Sequence, residues 1–162
     1  EIDESRNKNE PVDIFVKRLS IEKAMKIALL KKNSIVIGSD EIAVVGNKIL
    51  GKPLTKKNAQ KQLNLISGKK VIFKTGICVI DTNTMKKYSS VVNYYVQMKK
   101  LSKKIIDNYI DKEDMLSCAA SIRMEGLAIS LIKKTAGQDP TSVIGLPLIR
   151  LTTYLEKFGY KE

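Results

Sequence analysis

Asp40 and Glu41 stand side by side, directly after the apolar run Ile35-Val36-Ile37 and the pair Gly38-Ser39. A short β-branched run of this kind suits a strand covered on both faces. Gly38 and Ser39 are expected to end it, leaving two carboxylates at a strand's end. Beyond them, Gly46-Asn47 lies between the apolar runs Ala43–Val45 and Lys48–Leu50, a two-residue hairpin signal. Lys52 follows at once, in Gly51-Lys52-Pro53. Two carboxylates with a returning lysine could hold a divalent metal and a phosphate together. The same residues also make an ordinary solvated strand end with a turn aspartate.

Composition narrows the chemistry. The chain has 162 residues, enough for one domain with a real core or for two small lobes sharing a sheet. It contains no histidine, which removes a Ser-His-Asp triad, histidine general-base chemistry and His-ligated zinc. Hydrolysis here would rest on carboxylates, lysines and an oxygen-loving metal such as Mg²⁺ or Mn²⁺. The formal charge of +12 favours polyanions. The lysines are spread along the whole chain, however, and a compositional origin explains the charge equally well. A general RNA binder would need aromatic stacking, and only 6% of the residues are aromatic. No apolar run is long enough to cross a bilayer and no signal-peptide pattern opens the chain, so a cytoplasmic protein is expected. Cys78 and Cys118 lie in apolar surroundings without metal-ligand spacing and read as reduced thiols.

The elements that must position these groups can be read in order. Residues 1–10 are polar and read as a loop carrying Asp3-Glu4. Pro11 suits the first turn of a helix, and Val12, Phe15, Val16, Leu19, Ala24, Ile27 and Ala28 carry a helical stripe, giving a helix from about Pro11 to Leu30. Lys23 sits on it and, taken alone, reads as a solvated lysine. Thr55 caps a helix over Lys56–Ile66, with Gly68 beyond its end. Val71–Ile80 and Lys87–Met98 read as an antiparallel pair, with Thr75-Gly76 a place where a ligand or another backbone approaches, or a bulge. Ser102 caps a further helix. Leu116–Ser121 is a crowded small-residue turn. Leu127–Ile129 and Leu131–Lys133 read as an apolar run continuing into a strand. A last helix spans about Pro147 to Phe158, ended by Gly159.

Ile37-Gly38-Ser39-Asp40, Leu50-Gly51-Lys52-Pro53, Ser67-Gly68, Thr75-Gly76 and Ile144-Gly145-Leu146-Pro147-Leu148 occur in this order at suitable spacing. Together they resemble the Maf family of nucleoside triphosphate pyrophosphatases over essentially the whole chain, residues 1–162. A finer resemblance, to the 7-methyl-GTP pyrophosphatase branch, rests on Cys118-Ala119-Ala120-Ser121, Met124-Glu125-Gly126-Leu127, Gly137-Gln138-Asp139-Pro140 and Ile144 to Ile149. The branch usually has glycine where Ala120 stands, read here as a small packing change, and glutamine where Glu41 stands. Family members normally begin with a strand and a Ser/Arg loop that grips the triphosphate. This chain starts at a segment matching the later Asp-Glu loop, so the family's Ser/Arg segment is expected to be missing.

The resemblance implies an α/β, Maf/ITPase-like fold: a mixed twisted sheet flanked by helices, in two lobes with a cleft between them. It implies hydrolysis of a nucleoside triphosphate, 7-methyl-GTP or a related modified nucleotide, between the α and β phosphates. It also implies a divalent metal cofactor, Mg²⁺ or Mn²⁺. Asp40 matches the catalytic carboxylate, with Glu4 a second metal or water ligand. Lys23 and Lys52 match lysines near the phosphates, where each is a point charge against developing charge. Glu41 and Glu125 fall at the substrate-specificity positions. No membrane or specific nucleic-acid partner is expected; a homodimer is conceivable. The alternative is a catalytically impaired nucleotide-binding or regulatory protein with the same fold.

Overall fold

The computed structural model describes residues 2–160. Its elements are α1 (Val12–Ala28), β1 (Ile35–Val45), β2 (Lys48–Leu50), α2 (Lys56–Ile66), β3 (Lys70–Asp81), β4 (Lys87–Met98), α3 (Lys103–Lys112), β5 (Ile132–Gly137) and α4 (Leu148–Lys157). The strands form one sheet in the order β2-β1-β3-β4-β5. β1 and β2 pair antiparallel, with Ala43 opposite Leu50 and Val45 opposite Lys48, as the Gly46-Asn47 turn predicts. β4 and β5 are also antiparallel, with an irregularity between Gln97 and Met98. This is the sheet-and-helix α/β architecture expected. Among the described residues no helix is long and apolar enough to cross a membrane, and Cys78 and Cys118 are free thiols.

Two local expectations change. Gly38 and Ser39 do not end β1; the strand runs on through Asp40 and Glu41 to Val45. Its start is covered on both faces as expected, Val36 packing toward α1 and Ile35 toward α4, although Ile37 is 43% exposed. Past Glu125, Leu127–Leu131 folds as a 3-10 turn, and the strand begins only at Ile132.

The chain forms two compact units. The first comprises residues up to Glu41, Lys74–Val92 and those from Asp139 onward; the second comprises Ile42–Phe73 and Asn93–Gln138.

In the first unit the period-2 alternation of the strands sorts residues to two faces. One face carries Val36, Cys78 and Ile80, packed against Ala24 and Ala28 of α1. Here the helix backbone comes very close. A Cβ on Gly38 would lie 2.4 Å from the Ser20 carbonyl oxygen and 2.6 Å from the Ala24 nitrogen. One on Gly76 would lie 2.4 Å from the Val16 carbonyl oxygen. Both positions therefore exclude any side chain, and the approach foreseen at Gly76 is that of another backbone. The other face carries Ile77 and Val79 against Leu151 and Tyr154 of α4. Tyr88 stacks on Tyr154 there, with ring centroids 5.5 Å apart.

Pro147 precedes α4 and offers no capping oxygen, so the preceding loop supplies the caps. The Thr141 hydroxyl accepts from the Leu148 amide at 2.8 Å, and Asp139 Oδ2 accepts from the Ile149 amide at 2.9 Å. Asp139 Oδ1 also accepts from the Thr141 amide at 3.0 Å, so this buried carboxylate joins loop to helix.

In the second unit Thr55 and Ser102 cap α2 and α3 as expected, each accepting from the amide three residues on. Leu63 and Ile66 of α2 are fully buried. The small-residue turn before Ile122 is left-handed at two non-glycine residues, Ala120 (φ 54°) and Ser121 (φ 61°). It is tied by Ala120 N–H to the Gly51 carbonyl at 3.2 Å, the Ser121 hydroxyl to Gln62 Oε1 at 2.7 Å and Tyr109 OH to the Ser121 carbonyl at 3.0 Å. Burial pushes the Tyr109 phenol up to about 12, so it remains a neutral donor. The alanine at position 120 is thus a question of backbone strain more than of packing. Ala120→Gly relieves a conformation that disfavours Cβ but frees the unfolded chain, and should raise unfolding stability by about 0.5–1 kcal/mol. Urea denaturation checks this, and a loss of stability would show that packing dominates there.

Candidate functional site

Adjacent strand residues face opposite ways, so Asp40 and Glu41 diverge. Asp40 shares the face of Gly38 and meets helix α1; Glu41 lies on the other. The two carboxylates therefore do not form the joint metal-binding pair that their adjacency suggests.

Asp40 is largely buried, its side chain 13% exposed, and its Oδ1 pairs with the Lys23 ammonium. Lys23 stands one residue before Ala24, which touches Gly38, so the close seating of α1 puts the lysine beside the carboxylate two residues along β1. The same ammonium reaches Glu4 Oε1 at 2.9 Å. Lys23 is accordingly not the solvated helix lysine its surroundings in sequence suggest. Burial works against its charge, but the hydrogen bonds to Asp40 and Glu4 outweigh that and raise its pKa above the ordinary lysine value.

Glu4 belongs to the loop before α1, which has its own anchor. Arg18 donates to Glu10 Oε1 at 2.8 Å and to the Ser5 carbonyl at 2.9 Å. The Arg18 guanidinium holds the Glu10 carboxyl below its usual range, despite the opposing effect of burial. A helix residue thus fixes the loop that delivers Glu4. Glu4 and Asp40 together present two hard oxygen donors, the number Mg²⁺ or Mn²⁺ takes from protein when substrate phosphates and water complete the shell. Among the described residues there is no group of three or more acidic, histidine or cysteine side chains placed to hold a metal by themselves.

On the opposite face, Glu41 Oε2 lies 3.3 Å from the hydroxyl of Thr75, a fully buried residue. The single proton of that hydroxyl is better placed toward the Ser142 carbonyl at 2.7 Å. The Ser39 hydroxyl faces two carbonyls, Gly76 at 2.8 Å and Gly145 at 2.7 Å. Ser39 and Thr75 thereby meet the 142–145 turn, whose Gly145 adopts φ 101°, and Glu41 meets Thr75. Sequence reasoning missed Ser39 as a contributor; its place one residue before Asp40 and its type were the only signals.

Lys52 and Glu125 lie in the second unit. Lys52 is exposed and lines a hollow of about 270 Å³ with Leu50, Pro53, Asn58, Lys61 and Gln62. Glu125 is 46% exposed and is 3.4 Å from Arg123 Nε. Arg123 also donates to Glu113 Oε1 at 3.1 Å. Hydrogen bonding to Glu125 and the charge of Glu113 hold the Arg123 pKa above its ordinary value. Neither Arg123 nor Glu113 stands out in the sequence, because an isolated charged residue in a loop carries no pattern.

The family sequence model described as "Maf-like protein" matches residues 1–158. Among similar curated proteins, one from Alcanivorax borkumensis is 43% identical over 159 residues, covering 98% of this chain and 81% of that protein. One from Nitrosococcus oceani is 43% identical over 160 residues, covering 99% and 80%. One from Colwellia psychrerythraea is 44% identical over 158 residues, covering 98% and 79%. Each of the three is named 7-methyl-GTP pyrophosphatase.

The Lys23 geometry makes a pH prediction. Its folded pKa lies above the unfolded value of 10.5, so its contribution is complete below that pH and fades as pH rises through the folded value. Lys23→Met should therefore be less stable than the natural chain by a constant margin from neutral pH to about 10, and the margin should shrink above that range. Denaturation curves at pH 8 and pH 11 measure it; a margin that grows with pH would contradict the pairing.

Proposed function

This chain belongs to the Maf-like protein family, and from that premise we propose that it is a nucleoside triphosphate pyrophosphatase. Its substrate is 7-methyl-GTP or a related modified nucleotide, cleaved between the α and β phosphates to a monophosphate and pyrophosphate. The names of the relatives, matched along nearly the whole chain, support the reaction. The single observation that carries the site is Asp40, a largely buried carboxylate held against the Lys23 ammonium beside Glu4.

Asp40 accepts a proton from the attacking water as the new bond to phosphorus forms and the anhydride bond to the departing pyrophosphate breaks. Lys23, with its raised pKa, stays protonated at neutral pH; it orients Asp40 and supplies positive charge near the reaction. Lys52 is a second point charge against the phosphates. Glu4 and Asp40 would hold Mg²⁺ or Mn²⁺, and the ion, when bound, would neutralise phosphate charge. Glu125 accepts hydrogen bonds from N1–H and the amino group of guanine. N7-methylation makes that base cationic, which a carboxylate favours. Glu41, in place of the branch's glutamine, is the second residue that sets base preference.

Two measurements test this. With Mg²⁺ present, pyrophosphate release from 7-methyl-GTP should fall by about 10²–10⁴-fold in Asp40→Asn, and chelation of the metal should abolish it in the natural chain. A chain that binds the nucleotide and releases no pyrophosphate would overturn the enzymatic reading. Glu125→Gln should lower the kcat/KM ratio of 7-methyl-GTP over GTP; an unchanged ratio removes Glu125 from base selection.

A further inference from the structure

Glu113, just past the end of α3, has a side chain only 8% exposed and serves no step above. Its Oε2 accepts from the Leu127 amide at 2.6 Å. Its Oε1 accepts from the Asp114 amide and from Arg123 Nη1, each at 3.1 Å. The carboxylate also fills the space beside residue 126, where a Cβ on Gly126 would lie 2.1 Å from Oε2 and 2.8 Å from Cδ. Arg123 is fixed from its backbone as well, its amide donating to Tyr109 OH at 3.2 Å. Residues 123, 126 and 127 thus all refer to one carboxylate, and Glu125 lies among them without such an anchor of its own. It touches Arg123, the guanidinium that Glu113 holds.

We propose that Glu113 is a positioning residue for base selection: it orders the Arg123–Leu127 loop so that Glu125 meets the base in one orientation. The inference rests on the reading of Glu125 as the base-recognising carboxylate. Two physical effects support it. A loop ordered before binding avoids the entropy cost of ordering upon binding. In addition, Arg123 neutralises Glu125 in the free protein, and a cationic base must compete with it. Glu113 keeps a partner for the guanidinium when Glu125 turns to the base, so the exchange leaves no charge unpaired.

The test compares calorimetric affinities for the α,β-methylene analogues of 7-methyl-GTP and GTP in the natural chain, Glu125→Gln, Glu113→Gln and the double variant. Melting curves and hydrogen exchange at the Leu127 amide accompany them. Glu113→Gln should reduce the preference for the methylated analogue about tenfold, the scale of one lost charged hydrogen bond. It should speed Leu127 exchange while a cooperative melt is kept. The double variant should show no less preference than Glu125→Gln alone, because both act through one group. Gly126→Ala, which displaces the same carboxylate without removing it, should reproduce the loss. If Glu113→Gln and Gly126→Ala keep the natural preference, or if the two glutamate effects simply multiply, the positioning role is overturned while the Glu125 reading stands. If the natural chain shows no preference, or Glu125→Gln leaves it intact, both fall together.

Discussion

Helix α1 rests on its strands at backbone contact distance, and the chemistry of the first unit depends on that closeness. Gly38 and Gly76 are the points of contact, with helix carbonyls where their side chains would be. Any Cβ at either site would push the helix outward or force an overpacked arrangement, at a typical cost of about 1–3 kcal/mol. The more specific consequence is geometric. Lys23 and Asp40 are each a short step from the Ala24–Gly38 contact, so their pairing is set by how deeply the helix sits. A lysine side chain is long and flexible; here its tip is aimed by the seating of the helix from which it projects.

The second unit uses a different device. Its turns and loops are secured by individual polar groups with several partners. Glu113 accepts from two amides and a guanidinium. Hydrogen bonding to the Leu127 amide, ahead of the other contacts, holds its carboxyl below the usual range against the opposing pull of burial. Tyr109 both donates to the Ser121 carbonyl and accepts from the Arg123 amide. Such groups stabilise loops that bury too little apolar surface to order themselves.

Much of the architecture was legible from local pattern. The Gly46-Asn47 hairpin, the Thr55 and Ser102 caps and the β4 span follow from short-range rules and stand where those rules place them. What was not legible depends on contacts distant in sequence. Gly38 looked like a strand end because glycine weakens strands; it is instead the place where α1 touches β1, mid-strand. Lys23 looked solvated because nothing nearby in sequence reveals Asp40. Ala120 looked like a packing detail because its positive φ is invisible without coordinates. Asp139 looked like loop punctuation, whereas it caps α4 from ten residues upstream of Ile149. In each case the missing information was which remote backbone group the residue would meet.

The divergence of Asp40 and Glu41 across β1 has a consequence for how such a protein can change. The strand acts as a partition: Asp40 pairs with Lys23 of α1, which also reaches Glu4 in the loop before that helix, while Glu41 faces Thr75, whose hydroxyl meets the Ser142 carbonyl. The two ion pairs that join Lys23 to Asp40 and to Glu4 do not run through position 41. Neighbours in the chain thereby answer to different parts of the fold, so that exchanges at positions 40 and 41 bear first on different partners.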